Sequence, residues 1–168
     1  PQVVKQCEGT NFEAGGQDLD IHTEGAYTGE ISGSMLVDHG CNFVIVGHSE
    51  RRSLYGENDA MVAEKTTTAH ACGLRPIVCV GETLEERETG RTASVIERQV
   101  CAVIERAGIG VFPTGIVAYE PVWAIGTGLA ATSEQAQAMS AFIRLRLTDL
   151  YGHQAAEGIP ILYGGSVS

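Results

Sequence analysis

The chain has 168 residues, with 11 Lys and Arg against 21 Asp and Glu for a formal charge of −10. No basic stripe runs along any segment, which excludes nucleic acid as a partner, and any anionic ligand must be held by local donors against a repelling field. With 43% hydrophobic and 19% charged residues the composition is that of a globular domain, and no apolar run nears the roughly 18 residues of a membrane span.

In chain order, the opening Pro1-Gln2-Val3-Val4-Lys5 has no initiator Met and reads as the interior of a longer sequence. A weak strand is expected at 11–16, then a helix at 30–39 closed by Gly40. A short apolar strand at 42–46 runs into Gly47-His48-Ser49-Glu50. A helix at 58–71 ends at Gly73, and a strand at 76–80 runs into Gly81-Glu82-Thr83. A helix at 92–106 ends at Gly108, and a strand at 115–119 runs into Glu120-Pro121. Thr132-Ser133-Glu134-Gln135 fits a capping box and opens a helix to about residue 150. A last strand at 160–163 meets Gly164-Gly165-Ser166. Strands that are apolar on both faces and alternate with helices imply a parallel sheet with right-handed crossovers, in a single domain over 1–168. Four successive strands carry polar or glycine residues at their C-terminal mouths. A closed barrel, which builds its site from all of these loops, fits that pattern better than an open sheet with one switch point.

Cys7, Cys41, Cys72, Cys79 and Cys101 are five in number, with no C-x-x-C pair and no His at metal spacing. They imply a reduced, cytoplasmic setting and no metal.

The residues at the strand mouths each have two readings. His48 at the start of a short turn or helix feels the positive end of that helix, which favours a neutral, hydrogen-bond-donating imidazole. The alternative is a core histidine. Glu50 is either a catalytic carboxylate or a partner for Arg51 or Arg52. Glu120, beside Tyr119 and Trp123, would be desolvated and so a stronger base, or else an ordinary loop carboxylate. Pro121 fixes φ while Gly126 and Gly128 permit sharp backbone changes, the composition of a lid that swings as one body. Gly165 and Ser166 either form an amide and hydroxyl nest for phosphate or a simple turn.

Together, AYEPVWAIGTG (118–128), GHSERR (47–52), GAYTGE (25–30), CVGETLEERE (79–88) and YGGSV (163–167) resemble the triosephosphate isomerase family, in that family's order and over nearly the whole chain. The resemblance implies a TIM (β/α)8 barrel, incomplete here with about five strands and their helices. It also implies interconversion of dihydroxyacetone phosphate and D-glyceraldehyde 3-phosphate through an enediolate, in glycolysis and gluconeogenesis. Glu120 then matches the general base and His48 the electrophile. Glu50 matches a supporting carboxylate, Gly126, Gly165 and Ser166 match substrate-phosphate positions, and Thr28 with Tyr27 match a loop that reaches into a second subunit of a homodimer. No cofactor is implied, and the partner is a small phosphorylated triose.

Two family features have no match: an Asn-x-Lys at the first strand and a Gly-Gly in the last barrel loop. Asp18 stands where Asn is more common and Tyr27 where Phe is. The competing readings are another phosphosugar barrel and a catalytically inert barrel segment acting as a structural or interaction module.

Overall fold

The computed structural model describes residues 1–108, 110–125, 127–128 and 130–165. Five parallel strands form one sheet in sequence order: β1 (Gly15–Gly16), β2 (Phe43–Val46), β3 (Arg75–Val80), β4 (Ile116–Tyr119) and β5 (Ile161–Tyr163). Among the described residues the helices are α1 (Gln2–Cys7), α2 (Gly33–Asp38), α3 (Ser49–Tyr55), α4 (Asp59–Ala71), α5 (Leu84–Glu88), α6 (Thr92–Ala107), α7 (Ser133–Tyr151) and α8 (His153–Glu157), with a 3-10 turn at Val122–Ala124. Strands that follow one another in both sequence and space, joined by helical crossovers, are the arrangement of a TIM-barrel wall.

Strand side chains divide by the period of two. Val44, Val46, Val78, Val80, Val117 and Tyr119 point one way and form the main core with Val62, Ala63 and Ala69 of α4, Ile96, Val100 and Val103 of α6, and Ile143 and Leu147 of α7. The register pairs Cys79 with Ala118 and Ala118 with Leu162, so these residues lie on the opposite face, and Glu120 continues that face past the end of β4.

The local signals that fix the helices differ. The Thr132 hydroxyl accepts the Gln135 amide while Gln135 returns a bond to the Thr132 amide, closing the expected capping box at the start of α7. α2 begins three residues later than the sequence suggests. Ser32 is its N-cap, accepting from the Met35 amide, and Glu30 is instead spent in a turn onto the Tyr27 carbonyl. β1 is only two residues long. Gly15 lies so close to β2 that an added Cβ would sit 3.1 Å from the Phe43 carbonyl oxygen, and the strand shrinks to the glycines that permit this approach. The sequence reading does not anticipate α1, α5 or α8, although α5 carries a plain signal in Thr83 and Glu86, a second capping box.

Candidate active site

β2 and β4 deliver the central pair. After Val46 the chain turns at Gly47, with φ +70°, where an L side chain would be strained. His48 follows as the N-cap of α3, its Nδ1 accepting the Glu50 amide at 3.3 Å. The mouth of β4, two strands along and just past Tyr119, supplies Glu120. The Glu120 side chain is buried, with 5% of the residue exposed, and both carboxylate oxygens are engaged. Oε1 lies 2.9 Å from His48 Nε2, and Oε2 accepts the Ser49 amide at 2.9 Å. Because Nδ1 already accepts a backbone N–H, the imidazole carries its proton on Nε2 and donates it to Glu120.

Burial pushes the Glu120 carboxyl above the usual carboxylate range. The Ser49 amide, the neighbouring His48 and the Arg52 charge pull it back without cancelling the shift. Cys79 shares this face of the sheet, and its thiol is pushed up first by burial and then by the Glu120 charge, so it stays a neutral S–H. A buried carboxylate of raised basicity touching the N–H of an imidazole can accept a proton from carbon while the imidazole donates to an oxygen beside it.

The aromatic neighbours do something other than expected. Tyr119 precedes Glu120 and therefore faces the opposite side of the sheet. Its hydroxyl donates to both oxygens of the fully buried Glu82 at 3.2 Å, and Trp123 Nε1 donates to Glu82 Oε1 at 3.0 Å. Arg87 completes the cluster, donating to Glu82 at 3.2 Å and lying over the Trp123 ring at 4.2 Å. Tyr119 and Trp123 thus anchor the start of the expected lid through Glu82. What covers Glu120 is backbone and glycine: a Cβ on Gly164 would lie 3.3 Å from Glu120 Cγ, and one on Gly81 would lie 1.8 Å from the Glu120 carbonyl oxygen.

The remaining expected residues are placed as follows. Glu50 points outward with its side chain 70% exposed and an oxygen 3.8 Å from His48 Nδ1. It pairs with neither Arg51 nor Arg52. Arg51 binds Asp18 at 2.8 Å and Glu57 at 2.6 Å, and Arg52 binds Asp59 at 2.6 Å. Asp18 also accepts from the buried Lys65 at 2.7 Å, and Lys65 reaches Glu57 at 2.5 Å, forming one charged cluster behind the site. The lid stretch is ordered by its own turn: the Ala124 amide donates to the Pro121 carbonyl at 2.8 Å, and the Thr127 hydroxyl caps Trp123 and Ala124 carbonyls at 3.3 and 3.1 Å. Gly128 holds φ +77°. Gly165 is exposed beyond β5 with φ +146°, next to the Gly164 amide that donates to the Tyr119 carbonyl at 2.8 Å. Gly126 and Ser166 lie outside the described residues. Tyr27 is 44% exposed and stacks on His22 with ring centroids 3.7 Å apart, and Thr28 beside it is exposed. Sequence reasoning names Ser49, Gly81 and Gly164 at the strand mouths and Cys79 in a strand, but does not foresee their contacts with Glu120. Ser49 acts through its backbone amide, which its residue type does not advertise. Among the described residues no helix is long and apolar enough to cross a membrane.

Comparison with known proteins gives the family. The family model "Triosephosphate isomerase" matches residues 1–168. The chain is 57% identical to "Triosephosphate isomerase" of Thiobacillus denitrificans over 166 residues, which covers 99% of this chain and 66% of that protein. It is 50% identical to the same-named protein of Pseudomonas fluorescens over 167 residues and 53% identical to that of Nitrosomonas eutropha over 166, again at 66% of each relative's length. The chain therefore spans about 66% of the curated relatives it matches, and it belongs to the triosephosphate isomerase family.

Proposed function

From that family membership we propose that the protein interconverts dihydroxyacetone phosphate and D-glyceraldehyde 3-phosphate, with Glu120 and His48 carrying the proton chemistry. The supporting observation is the 2.9 Å contact between His48 Nε2 and Glu120 Oε1, made by a carboxylate whose proton affinity burial has raised. Glu120 takes a proton from the carbon next to the carbonyl, and the released electron pair moves onto the carbonyl oxygen. The Nε2–H of His48 stabilises the charge developing on that oxygen. The proton of the adjacent hydroxyl passes to the former carbonyl oxygen by way of His48, whose Nε2 gives up one proton and recovers the other, and the protonated carboxyl returns its proton to the former carbonyl carbon, which completes the aldose–ketose exchange. To reach carbon, Glu120 exchanges one of its two present contacts for substrate. The shuttle uses a base and a neutral donor, each worth about 10²- to 10⁴-fold in rate.

Gly165, with Gly126 and Ser166, is assigned to the substrate phosphate, where backbone and hydroxyl donors suit a chain of net charge −10. Glu50 is assigned a supporting role beside His48. Tyr27 and Thr28 belong to an exposed loop followed by the exposed Ile31 and Met35, a surface suited to a second copy of the chain in a homodimer. The setting is cytoplasmic, in glycolysis and gluconeogenesis.

The test is a dehydrogenase-coupled assay of the intact gene product with each triose phosphate in turn, repeated on His48→Gln. Turnover of both substrates is expected, with a large fall in kcat for the variant at unchanged circular dichroism. A folded wild-type protein without turnover, or full turnover in His48→Gln, would overturn the assignment.

A further inference from the structure

Arg52 stands where β2 leaves the sheet. The β2–β3 ladder runs as far as Val46 opposite Val78, after which β3 continues to Val80 while the segment after β2 turns away at Gly47. The carbonyls of Gly47 and Cys79 lie past the end of that shared register. Arg52, one turn into α3, folds back over both: Nε donates to the Gly47 carbonyl at 2.9 Å and Nη2 to the Cys79 carbonyl at 3.4 Å. Its third corner is fixed by Asp59, which accepts from Nη1 at 2.6 Å and from Arg98 Nε at 2.8 Å on its other oxygen. The Arg52 side chain is only 18% exposed.

These two carbonyls are next to the reacting groups. The Gly47 carbonyl belongs to the peptide plane that leads directly into His48. Cys79 lies one residue before Val80, whose carbonyl accepts the Glu120 amide at 2.8 Å. We propose that Arg52 is a positioning residue for the His48–Glu120 pair: its planar fork replaces the missing pairing between β2 and β3 and sets the spacing of the β2 mouth, which carries His48, from the β3 mouth, to which Glu120 at the end of β4 is tied through the Val80 carbonyl. A guanidinium offers several donors in one rigid plane, whereas a lysine ammonium is a point charge on a flexible stem and cannot span both carbonyls and Asp59 in the same way. The groups bearing on Glu120 are His48, the Ser49 amide, the Cys79 thiol and Arg52 itself, so the Arg52 charge also opposes the effect of burial on this carboxylate.

The kinetic arm rests on the isomerase reading; the spectroscopic arm does not. In the intact gene product, Arg52→Lys is expected to lower kcat by about 10- to 100-fold, with a smaller change in KM, because misplacement by a fraction of an ångström is costly in rate. Its kcat/KM acid limb should stay at the wild-type pH, since the charge is kept. Arg52→Met should show the same kcat loss with the acid limb moved to higher pH, since burial of Glu120 is then less opposed. Arg98→Met, at an exposed position that reaches Arg52 through Asp59, should give a smaller kcat loss and keeps the test open should the Arg52 variants fail to fold. In parallel, 15N-edited NMR of the His48 Nε2–H should show a shifted or broadened signal in Arg52→Lys. Wild-type kcat together with an unchanged His48 signal in folded Arg52→Lys would overturn the proposal. So would variants that lower only the urea midpoint, the mark of a merely structural ion pair. If the wild-type protein turns over neither triose phosphate, the isomerase reading fails and the His48 signal alone decides the positioning role.

Discussion

Shortening Glu120 by one methylene tests the site most directly. The backbone at this point cannot follow the carboxylate. The Glu120 amide donates to the Val80 carbonyl at 2.8 Å on one side, and the Tyr119 carbonyl accepts the Gly164 amide at 2.8 Å on the other. In Glu120→Asp the carboxylate therefore withdraws by about 1 Å, a displacement that can cost about 100-fold in rate. The contacts to the Ser49 amide and to His48 Nε2, both 2.9 Å, stretch beyond hydrogen-bonding range. A 100-fold fall in kcat corresponds to about 2.7 kcal/mol of lost transition-state stabilisation at 1.36 kcal/mol per decade. The removed methylene is worth only about 0.8 kcal/mol of burial, so the urea midpoint should move little. KM should stay within a few-fold, because the groups assigned to the phosphate are untouched. The measurement is a coupled steady-state assay on the intact gene product, with circular dichroism and urea unfolding alongside. A kcat within threefold of wild type, or a loss confined to KM, would refute the placement of Glu120 as the base.

Two further outcomes concern stability. Lys65→Met removes the buried one of the two cations that Asp18 and Glu57 share and leaves them Arg51 alone, so the cost should approach the lower end of the about 3–5 kcal/mol for breaking a buried pair on one side, read as a urea-midpoint drop at pH 7; a drop of less than about 1 kcal/mol would show the cluster to be solvated. Glu120→Gln presents the donor pattern of a protonated carboxyl, and the folded-state pKa of Glu120 is raised. The stability associated with the protonated form is complete below the unfolded pKa and is lost as pH rises through the folded one, so the variant should be the more stable protein at pH 7.5 and converge with wild type near pH 4. Glu57 and Asp59 act in the opposite sense. Burial pushes each carboxyl up, but hydrogen bonds from Lys65 and Arg51, and from Arg98 and Arg52, outweigh it and hold both below the usual range. Their contribution is present above the ordinary carboxylate pKa and fades as pH falls through the lowered values, so both proteins should weaken together in acid. A Glu120→Gln midpoint below wild type at pH 7.5 would contradict the raised carboxyl.

What the sequence discloses and what it hides follow from the range of the interactions. Thr132 with Gln135, and the apolar runs before Gly47 and Glu120, are local signals, and the helix and strands they announce are where expected. His48 and Glu120 stand out because polar residues directly after buried strands have few structural reasons to be there. The details around them are long-range. Tyr119 and Trp123 are neighbours of Glu120 in the chain yet serve Glu82, because the strand period turns adjacent side chains to opposite faces. The groups that hold Glu120 are an amide of Ser49 and the missing side chains of Gly81 and Gly164, none of which carries a chemical label in one dimension. This division has a physical basis. The role proposed for Glu120 requires a raised proton affinity, so the groups packed against it cannot be strong countercharges. Main-chain donors and glycine contacts hold a carboxylate without fully neutralising the cost of its burial, and the full positive charges of Lys65, Arg51 and Arg98 are committed to Asp18, Glu57 and Asp59 instead. Arg52 is the exception in its nearness to Glu120, and there its charge is shared with Asp59 and two carbonyls.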